Sequence, residues 1–160
     1  MNKNNMSSVT LVKDEGITLI EVLIVVAIFV VVLSLCVLML FGANKESRDL
    51  KRSSDIGVLR SSMSAVKVQF GSYLEAGCNP GAVAACSDGT LANVMQTINN
   101  FRDPVGGPLC VVDCSDTCEY SFNEGMTEDS YEVLFYLEKG IGNYPESGCY
   151  SLTENGVAPR

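Results

Sequence analysis

Residues 17–42 read ITLIEVLIVVAIFVVVLSLCVLMLFG, and this stretch decides the fold. Glu21 is its only charged residue, and the 21 residues from 22 to 42 carry no charge at all. As an α-helix, a stretch of that length spans about 31 Å, which matches the hydrocarbon core of a bilayer at roughly 30 Å. Lipid offers the backbone no hydrogen-bonding partner, so a single crossing segment becomes helical. The stretch therefore predicts a helix that spans a membrane.

Two other interpretations of the apolar run fit less well. Buried core helices are rarely apolar on every side over such a length. A cleavable secretory signal has an apolar core of about 7–15 residues, shorter than this run, and it lacks the polar leader that residues 1–16 form here.

The charge balance excludes several classes of function. The chain of 160 residues has 19 acidic and 11 basic side chains, a net charge of −8 and no histidine. An acidic chain without a dense basic cluster is not typical of nucleic-acid binders. The absence of histidine removes Ser–His and Cys–His pairs. The polar segment with Glu124, Glu128 and Asp129 offers no paired base or nucleophile, so we do not expect an enzyme.

The start of the apolar run carries a family resemblance. Residues 16–28, GITLIEVLIVVAI, closely resemble the amino-terminal signature of type IV pilins and type II secretion pseudopilins. The resemblance implies that a prepilin peptidase cuts between Gly16 and Ile17, removes leader residues 1–16 and methylates the new amino group. It also implies that Glu21 meets the amino terminus of a neighbouring subunit. An ammonium group at Ile17 would neutralise that carboxylate in a low-dielectric setting.

The same resemblance implies a location and a set of partners. The subunit would sit as a single-pass protein in the inner (cytoplasmic) membrane, with the leader cytoplasmic and the head outside the cytoplasm. An assembly-platform membrane protein would then add it, with copies of itself or other pilins, to a pilus or a secretion pseudopilus. Residues 17–43 would form the half of the helix that lies in the membrane and later in the filament core.

The basic residues on either side of the span conflict with this location. Lys45, Arg48, Lys51 and Arg52 follow the span, whereas only Lys3 and Lys13 precede it. A bare count of these cations would place the carboxy-terminal part in the cytoplasm. The alternative function is an uncleaved, membrane-anchored binding or receptor module, which would not depend on Glu21.

An amphipathic helical half is predicted over residues 44–77. Its apolar residues follow steps of four and three, which place them on one stripe of a helix: Leu59, Met63, Val66, Phe70 and Tyr73. Ala76 and Gly77 provide a plausible end, because glycine adopts the left-handed capping conformation. We therefore expect one helix from about residue 17 to residue 76.

Residues 78–160 are predicted to form a small head. A loop over 78–89 precedes a short helix over 90–101, with Thr90 as its cap and Leu91, Val94, Met95, Ile98 and Phe101 on one face. Strands are expected over 108–113, 118–122, 131–137 and 149–152, with a turn at Asn155 and Gly156. The resulting fold is α+β and, by the resemblance, pilin-like: a long amino-terminal helix packed against a small antiparallel sheet.

The cysteines predict disulfides. Cys36 lies in the apolar run, and six others lie in the head: Cys78, Cys86, Cys110, Cys114, Cys118 and Cys149. An even number in a small extracytoplasmic domain indicates disulfide bonds, and six cysteines allow fifteen pairings. We favour Cys78 with Cys86, and one of the central three with Cys149.

Metal sites are the weaker alternatives in the head. Cys110, Cys114 and Cys118 could supply thiolates to zinc, but there is no Cys-x2-Cys pair and no histidine. Asp113, Asp116 and Glu119 are calcium candidates, and some pseudopilins hold calcium in this region. Without an EF-hand pattern, a solvated acidic loop is the favoured interpretation, so no cofactor is expected.

Overall fold

The computed structural model describes residues 18–160, apart from the side chains of residues 38–42. The chain divides into two compact units, Met1–Leu40 and Phe41–Arg160. Helix α1, Leu19–Phe70, has 52 residues and contributes to both units. The described part of the chain is α+β, as the sequence predicts. It contains this long helix and an antiparallel sheet of five strands, whereas four strands were expected.

Helix α1 ends at Phe70, earlier than the predicted end at Ala76. The cause is Gly71, whose φ of +79° lies in the left-handed region that glycine adopts without a steric penalty. Its backbone N–H donates to the carbonyl oxygen of Lys67 at 2.8 Å and closes the last turn. Gly77, the predicted terminator, caps the short 3-10 helix Leu74–Ala76 instead.

The buried stripe of α1 agrees with the predicted stripe at its centre. Leu59, Met63 and Val66 are fully buried in the core of the second unit. Phe70 is 44% exposed, and Tyr73 is buried although it lies beyond the helix. The helix ends before Gly71, so helical spacing does not predict which residues beyond that point are buried.

Residues 78–101 are more broken than expected. The predicted loop contains strand β1, Gly81–Ala82, and the 3-10 helix Val83–Ala85. One helix was predicted over 90–101, but helix α2 covers only Thr90–Val94, and the 3-10 helix Ile98–Asn100 follows it. The backbone leaves the helical region at Met95, with φ −119° and ψ 79°. Four of the five predicted face residues are still buried, and Val94 is the exception.

Gly89 and Thr90 explain how α2 begins. The cap position is Gly89, and no side chain caps the helix, so the predicted role of Thr90 is wrong. The Thr90 hydroxyl instead donates to the carbonyl oxygen of Glu75. A Cβ on Gly89 would overlap the carbonyl oxygen of Ala76. Glycine at this position therefore permits the close approach of two backbone segments.

The sheet has the order β1-β2-β3-β4-β5, with every neighbouring pair antiparallel. The remaining strands are β2, Ser121–Phe122; β3, Glu132–Leu137; β4, Gly148–Thr153; and β5, Gly156–Pro159. The two carboxy-terminal strands predicted over 131–137 and 149–152 are confirmed as β3 and β4.

Two predicted strands and one turn are corrected. Residues 108–113 form no strand, only a single parallel bridge between Leu109 and Glu119. The strand expected over 118–122 is reduced to β2. The backbone turns into the left-handed region at Asp113, with φ 64°, which interrupts an extended conformation. The last turn is formed by Glu154 and Asn155, because Gly156 already pairs with Thr153.

Both faces of the sheet are covered. Val133, Phe135 and Leu137 of β3 lie in the main core with the buried residues of α1. Leu134, on the opposite face of β3, is buried in a second cluster with Cys110 and Cys118. The segment around these two cysteines therefore forms a third layer over the sheet.

Candidate functional site

The first unit contains an apolar helical segment. The residues Leu19–Val37 have a mean hydropathy of 3.2, and none of their side chains is buried. The segment is long and apolar enough to cross a membrane. Glu21, in its first turn, is its only charged side chain.

The start of α1 has a local arrangement that the sequence argument missed. The backbone N–H of Glu21 is 3.3 Å from the Thr18 hydroxyl oxygen and 3.1 Å from the Thr18 carbonyl oxygen. Thr18 thus acts as the amino-terminal cap of α1, and Glu21 occupies the third helical position. Ser/Thr-x-x-Glu is the spacing of a capping box, and the helix dipole favours a carboxylate there. The spacing of Thr18 and Glu21 is therefore the sequence signal from which this cap can be predicted.

The backbone of Glu21 thus takes part in the start of the helix through Thr18, and its side chain is exposed. The predicted processing residues Gly16 and Ile17 lie outside the described residues.

The second unit contains three disulfides. They join Cys78 to Cys86, Cys110 to Cys118, and Cys114 to Cys149. The structure therefore agrees with the favoured local pair, and it selects Cys114 as the partner of Cys149. Cys36 in the apolar helix is a free, exposed cysteine.

The alternative zinc site is not available in this state. The sulfur atoms of Cys110, Cys114 and Cys118 lie within 4.8 Å of one another. Each is bonded to another sulfur, so none is a free thiolate, which is the form that binds zinc.

The three calcium candidates do not share a site. Glu119 Oε2 accepts a hydrogen bond from the backbone N–H of Asp103 at 3.1 Å. Asp116 accepts from the backbone N–H of Thr117 at 2.7 Å, and Asp113 is exposed. The only group of three possible ligands found among the described residues is the cysteine cluster. The carboxylates of Asp113, Asp116 and Glu119 thus have separate surroundings.

A buried ionic cluster, which sequence reasoning missed, surrounds Arg52. The Arg52 side chain has no exposed surface. It donates to both oxygens of Asp103, at 2.6 and 2.9 Å, and to Asp49 and Glu138, at 2.8 and 2.7 Å. Arg48 adds two hydrogen bonds to Glu138, each of 2.6 Å. Three segments that are distant in sequence, around residues 48–52, Asp103 and Glu138, therefore meet at one guanidinium group.

Asp49 connects this cluster to the end of β3. Its carboxylate accepts hydrogen bonds from the backbone N–H groups of Glu138, Lys139 and Gly140, at 3.0, 2.8 and 3.1 Å. A buried carboxylate is tolerated when such donors and a cation satisfy it. Asp49 therefore fixes α1 to the chain that leaves β3.

The cluster shifts the pKa values of Glu138 and Arg52. Hydrogen bonding from Arg48, together with that from Arg52, outweighs partial burial and lowers the pKa of Glu138 to about 2. Burial alone would lower the pKa of Arg52, but its hydrogen bonds to Asp103, Glu138 and Asp49 outweigh this effect and raise it. These shifts favour the charged forms of Glu138 and Arg52, so the pair acts as an ionic clamp rather than as a proton donor or acceptor.

The polar segment that contains Glu124, Glu128 and Asp129 contacts the end of α1. Lys67 Nζ donates to Asp129 at 2.6 Å and to the Glu128 carbonyl oxygen at 2.9 Å. Glu124 is exposed. The contacts of Asp129 and of the Glu128 backbone are structural, since they hold this loop against the helix.

Comparison of the chain with protein-family models, with curated proteins and with solved structures finds no match in any of the three.

Proposed function

We propose that this protein is a pilin-like structural subunit. A prepilin peptidase cuts it between Gly16 and Ile17, and the apolar segment holds it in the cytoplasmic membrane. An assembly platform then adds it to a type IV pilus or a type II secretion pseudopilus. The observation that carries the proposal is Glu21, the only charge in the apolar helical segment Leu19–Val37.

The physical argument concerns the cost of that charge. A carboxylate near the centre of a membrane costs about 2.5–3.5 kcal/mol or more, and less close to a helix start. The cap by Thr18 and the helix dipole reduce this cost but leave the carboxylate exposed. A new ammonium group on Ile17 of a neighbouring subunit would neutralise it in the interior of a filament.

The second unit supports the orientation that the proposal requires. Three disulfides are typical of a domain outside the cytoplasm. The basic residues after the span, which by count favour a cytoplasmic head, also form contacts within the second unit. Arg48 and Lys51 form salt bridges within the second unit, and Arg52 is buried in the ionic cluster. Folding of this unit therefore accounts for three of the four basic residues after the span.

Intact mass spectrometry of the full chain extracted from membranes tests the proposal. We expect loss of residues 1–16, addition of one methyl group and loss of six hydrogens through three disulfides. The variant G16A should retain its leader. G125A is the matched control, because a Cβ at Gly125 meets nothing within 4 Å, and it should be processed normally.

Retention of Met1 in the mature wild-type chain would contradict the proposal. That result would favour the uncleaved, membrane-anchored binding module.

A further inference from the structure

The second unit exposes aliphatic side chains on a constrained loop and just before it. Val105, Leu109, Val111 and Val112 are 52%, 44%, 63% and 44% exposed, respectively, and lie within eight residues of sequence. Isolated exposed aliphatic residues are ordinary, but groups of them mark interaction surfaces. This group is therefore a candidate contact surface.

Residues 108–118, here named the disulfide loop, are constrained by disulfides and backbone hydrogen bonds. Disulfides join Cys110 to Cys118 and Cys114 to Cys149 on β4. The backbone N–H of Cys110 donates to the Glu119 carbonyl oxygen at 2.9 Å, and that of Glu119 donates to the Pro108 carbonyl oxygen at 2.8 Å. A loop constrained in this way loses little conformational entropy when it binds.

A groove lies elsewhere on the same unit, between α1 and β5. Its volume is about 170 Å³, and buried Ile56, Phe135 and Leu137 are among its lining residues. Gly57 contributes no side chain, and a Cβ there would meet nothing within 4 Å. We name this feature the α1–β5 groove. It is large enough for a branched aliphatic side chain, since a cavity of about 150 Å³ accommodates benzene.

The groove and the loop have complementary charges. Arg60 lines the groove and forms no salt bridge with any residue in the described part of the chain. Asp113 follows Val112 in the loop and is exposed. It forms no salt bridge with any residue that the structure describes. A valine next to a carboxylate matches an apolar groove with a guanidinium at its side.

We propose that the disulfide loop of one copy docks into the α1–β5 groove of a second copy, where Val112 enters the groove and Asp113 pairs with Arg60. This inference rests on the proposed function for bringing copies side by side. The loop covers the sheet face opposite α1, whereas the groove lies on the α1 side. Each copy therefore offers both surfaces at once.

Such a contact joins two different surfaces and can repeat from copy to copy. Head-to-tail contacts of this kind produce rings or helical filaments rather than closed pairs. Copies with a net charge of −8 repel one another. Pairing of Arg60 with Asp113 of the disulfide loop would offset part of this repulsion where the copies meet.

Photo-crosslinking of the full chain in its membrane tests the contact. Val111 is replaced by p-benzoylphenylalanine, which leaves Val112 and Asp113 in place. We expect a cross-linked dimer whose joined peptides include the segment with Gly57 and Arg60 or the segment with Val157. The same replacement at Val94, an exposed valine on α2, is the control and should yield no such product.

Charge reversal supplies a second, independent measurement. In the Val111 photo-crosslinking chain, R60D and D113K should each lower the dimer yield about fivefold, and the double variant should recover to within about twofold of the parent. R102D changes the charge equally at an exposed arginine outside the groove and should have no effect. Intact mass with three disulfides verifies that each variant has folded.

The results separate this inference from the proposed function. A chain processed after Gly16 that gives no groove cross-link, or that shows no recovery in the double variant, overturns the docking contact and leaves the function standing. An unprocessed chain that gives the groove cross-link retains the contact and overturns the function. An unprocessed chain without the cross-link overturns both.

Discussion

Arg52 on α1 forms a two-pronged salt bridge with Asp103, 51 residues further along the chain, and neither side chain has any exposed surface. The geometry is the parallel pairing that a planar guanidinium group makes with a carboxylate. Arg52 also donates hydrogen bonds to Asp49 and Glu138. The amphipathic half of α1 is therefore fixed to the rest of the second unit by charge as well as by apolar packing.

Loss of this guanidinium should destabilise the second unit strongly. In R52A, Asp49 and Asp103 stay buried without a cation, which costs about 3–5 kcal/mol of the free energy of unfolding. Denaturant unfolding of the full chain in detergent, followed by the near-ultraviolet circular dichroism of its tyrosines, measures the loss. R102A, at an exposed arginine, should change stability by no more than about 0.5 kcal/mol. Equal stability of the two variants would show that the cluster contributes nothing.

The stability of the second unit should fall in acid through Glu138. Its pKa is lowered from 4.5 to about 2 in the folded protein, so the ionised form stabilises the fold. That contribution is complete above the unfolded pKa and is lost as the pH falls through the folded pKa. The difference in unfolding free energy between wild type and E138Q should therefore be constant above pH 4.5 and shrink between 4.5 and about 2. A difference that does not depend on pH would contradict this assignment.

Two glycines should respond in opposite ways to alanine. G89A forces a Cβ against the Ala76 carbonyl oxygen and should lower the unfolding free energy by about 1–3 kcal/mol or more. G57A lies in an exposed part of α1 with open space around it, and should raise the same quantity by about 0.5–1 kcal/mol. Thermal unfolding of the two variants beside wild type checks both signs. Stabilisation by G89A would show that the two backbone segments do not approach closely.

The disulfides should differ in their contribution to stability. Cys114–Cys149 closes a loop with a sequence separation of 35, whereas Cys78–Cys86 has a separation of 8. Loop-closure entropy predicts about 4 kcal/mol for the first and about 2.5 kcal/mol for the second. Unfolding of the paired Cys-to-Ser variants C114S/C149S and C78S/C86S measures the two losses. A larger loss for the second pair would contradict the entropic account.

Glu21 should matter for assembly through its charge. E21Q preserves the backbone hydrogen bond to Thr18 and the size of the side chain, but it removes the carboxylate that would pair with Ile17 of a neighbour. We expect at least about a tenfold loss of incorporation into filaments, since a buried ion pair that loses one partner costs several kcal/mol. Sedimentation of sheared filaments, with processing followed by mass, measures it.

T18A is the control for the cap at the start of α1. It weakens the start of the helix without removing the charge, so it should reduce incorporation much less than E21Q. Normal incorporation of E21Q would remove the basis of the pairing.

Local patterns predicted the parts of the fold that depend on neighbouring residues in sequence. The apolar run predicted the first part of α1, which is helical over Leu19–Val37. The predicted stripe is buried at Leu59, Met63 and Val66. The alternation of residues 131–137 became β3. The end of α1 at Gly71 also depends on a local signal, since this glycine adopts the left-handed conformation that ends the helix before Gly77 is reached.

The sequence by itself thus determined a long apolar helix with one acid, an amphipathic continuation and a sheet with disulfides, because helical and strand periods are properties of short segments. Only the tertiary structure decided that Arg52 binds the carboxylates of Asp49, Asp103 and Glu138, which are 3, 51 and 86 residues away in sequence. It also selected Cys114 for Cys149 and separated Asp113, Asp116 and Glu119. The physical reason is that burial and pairing depend on what lies opposite in space, which spacing along the chain does not encode.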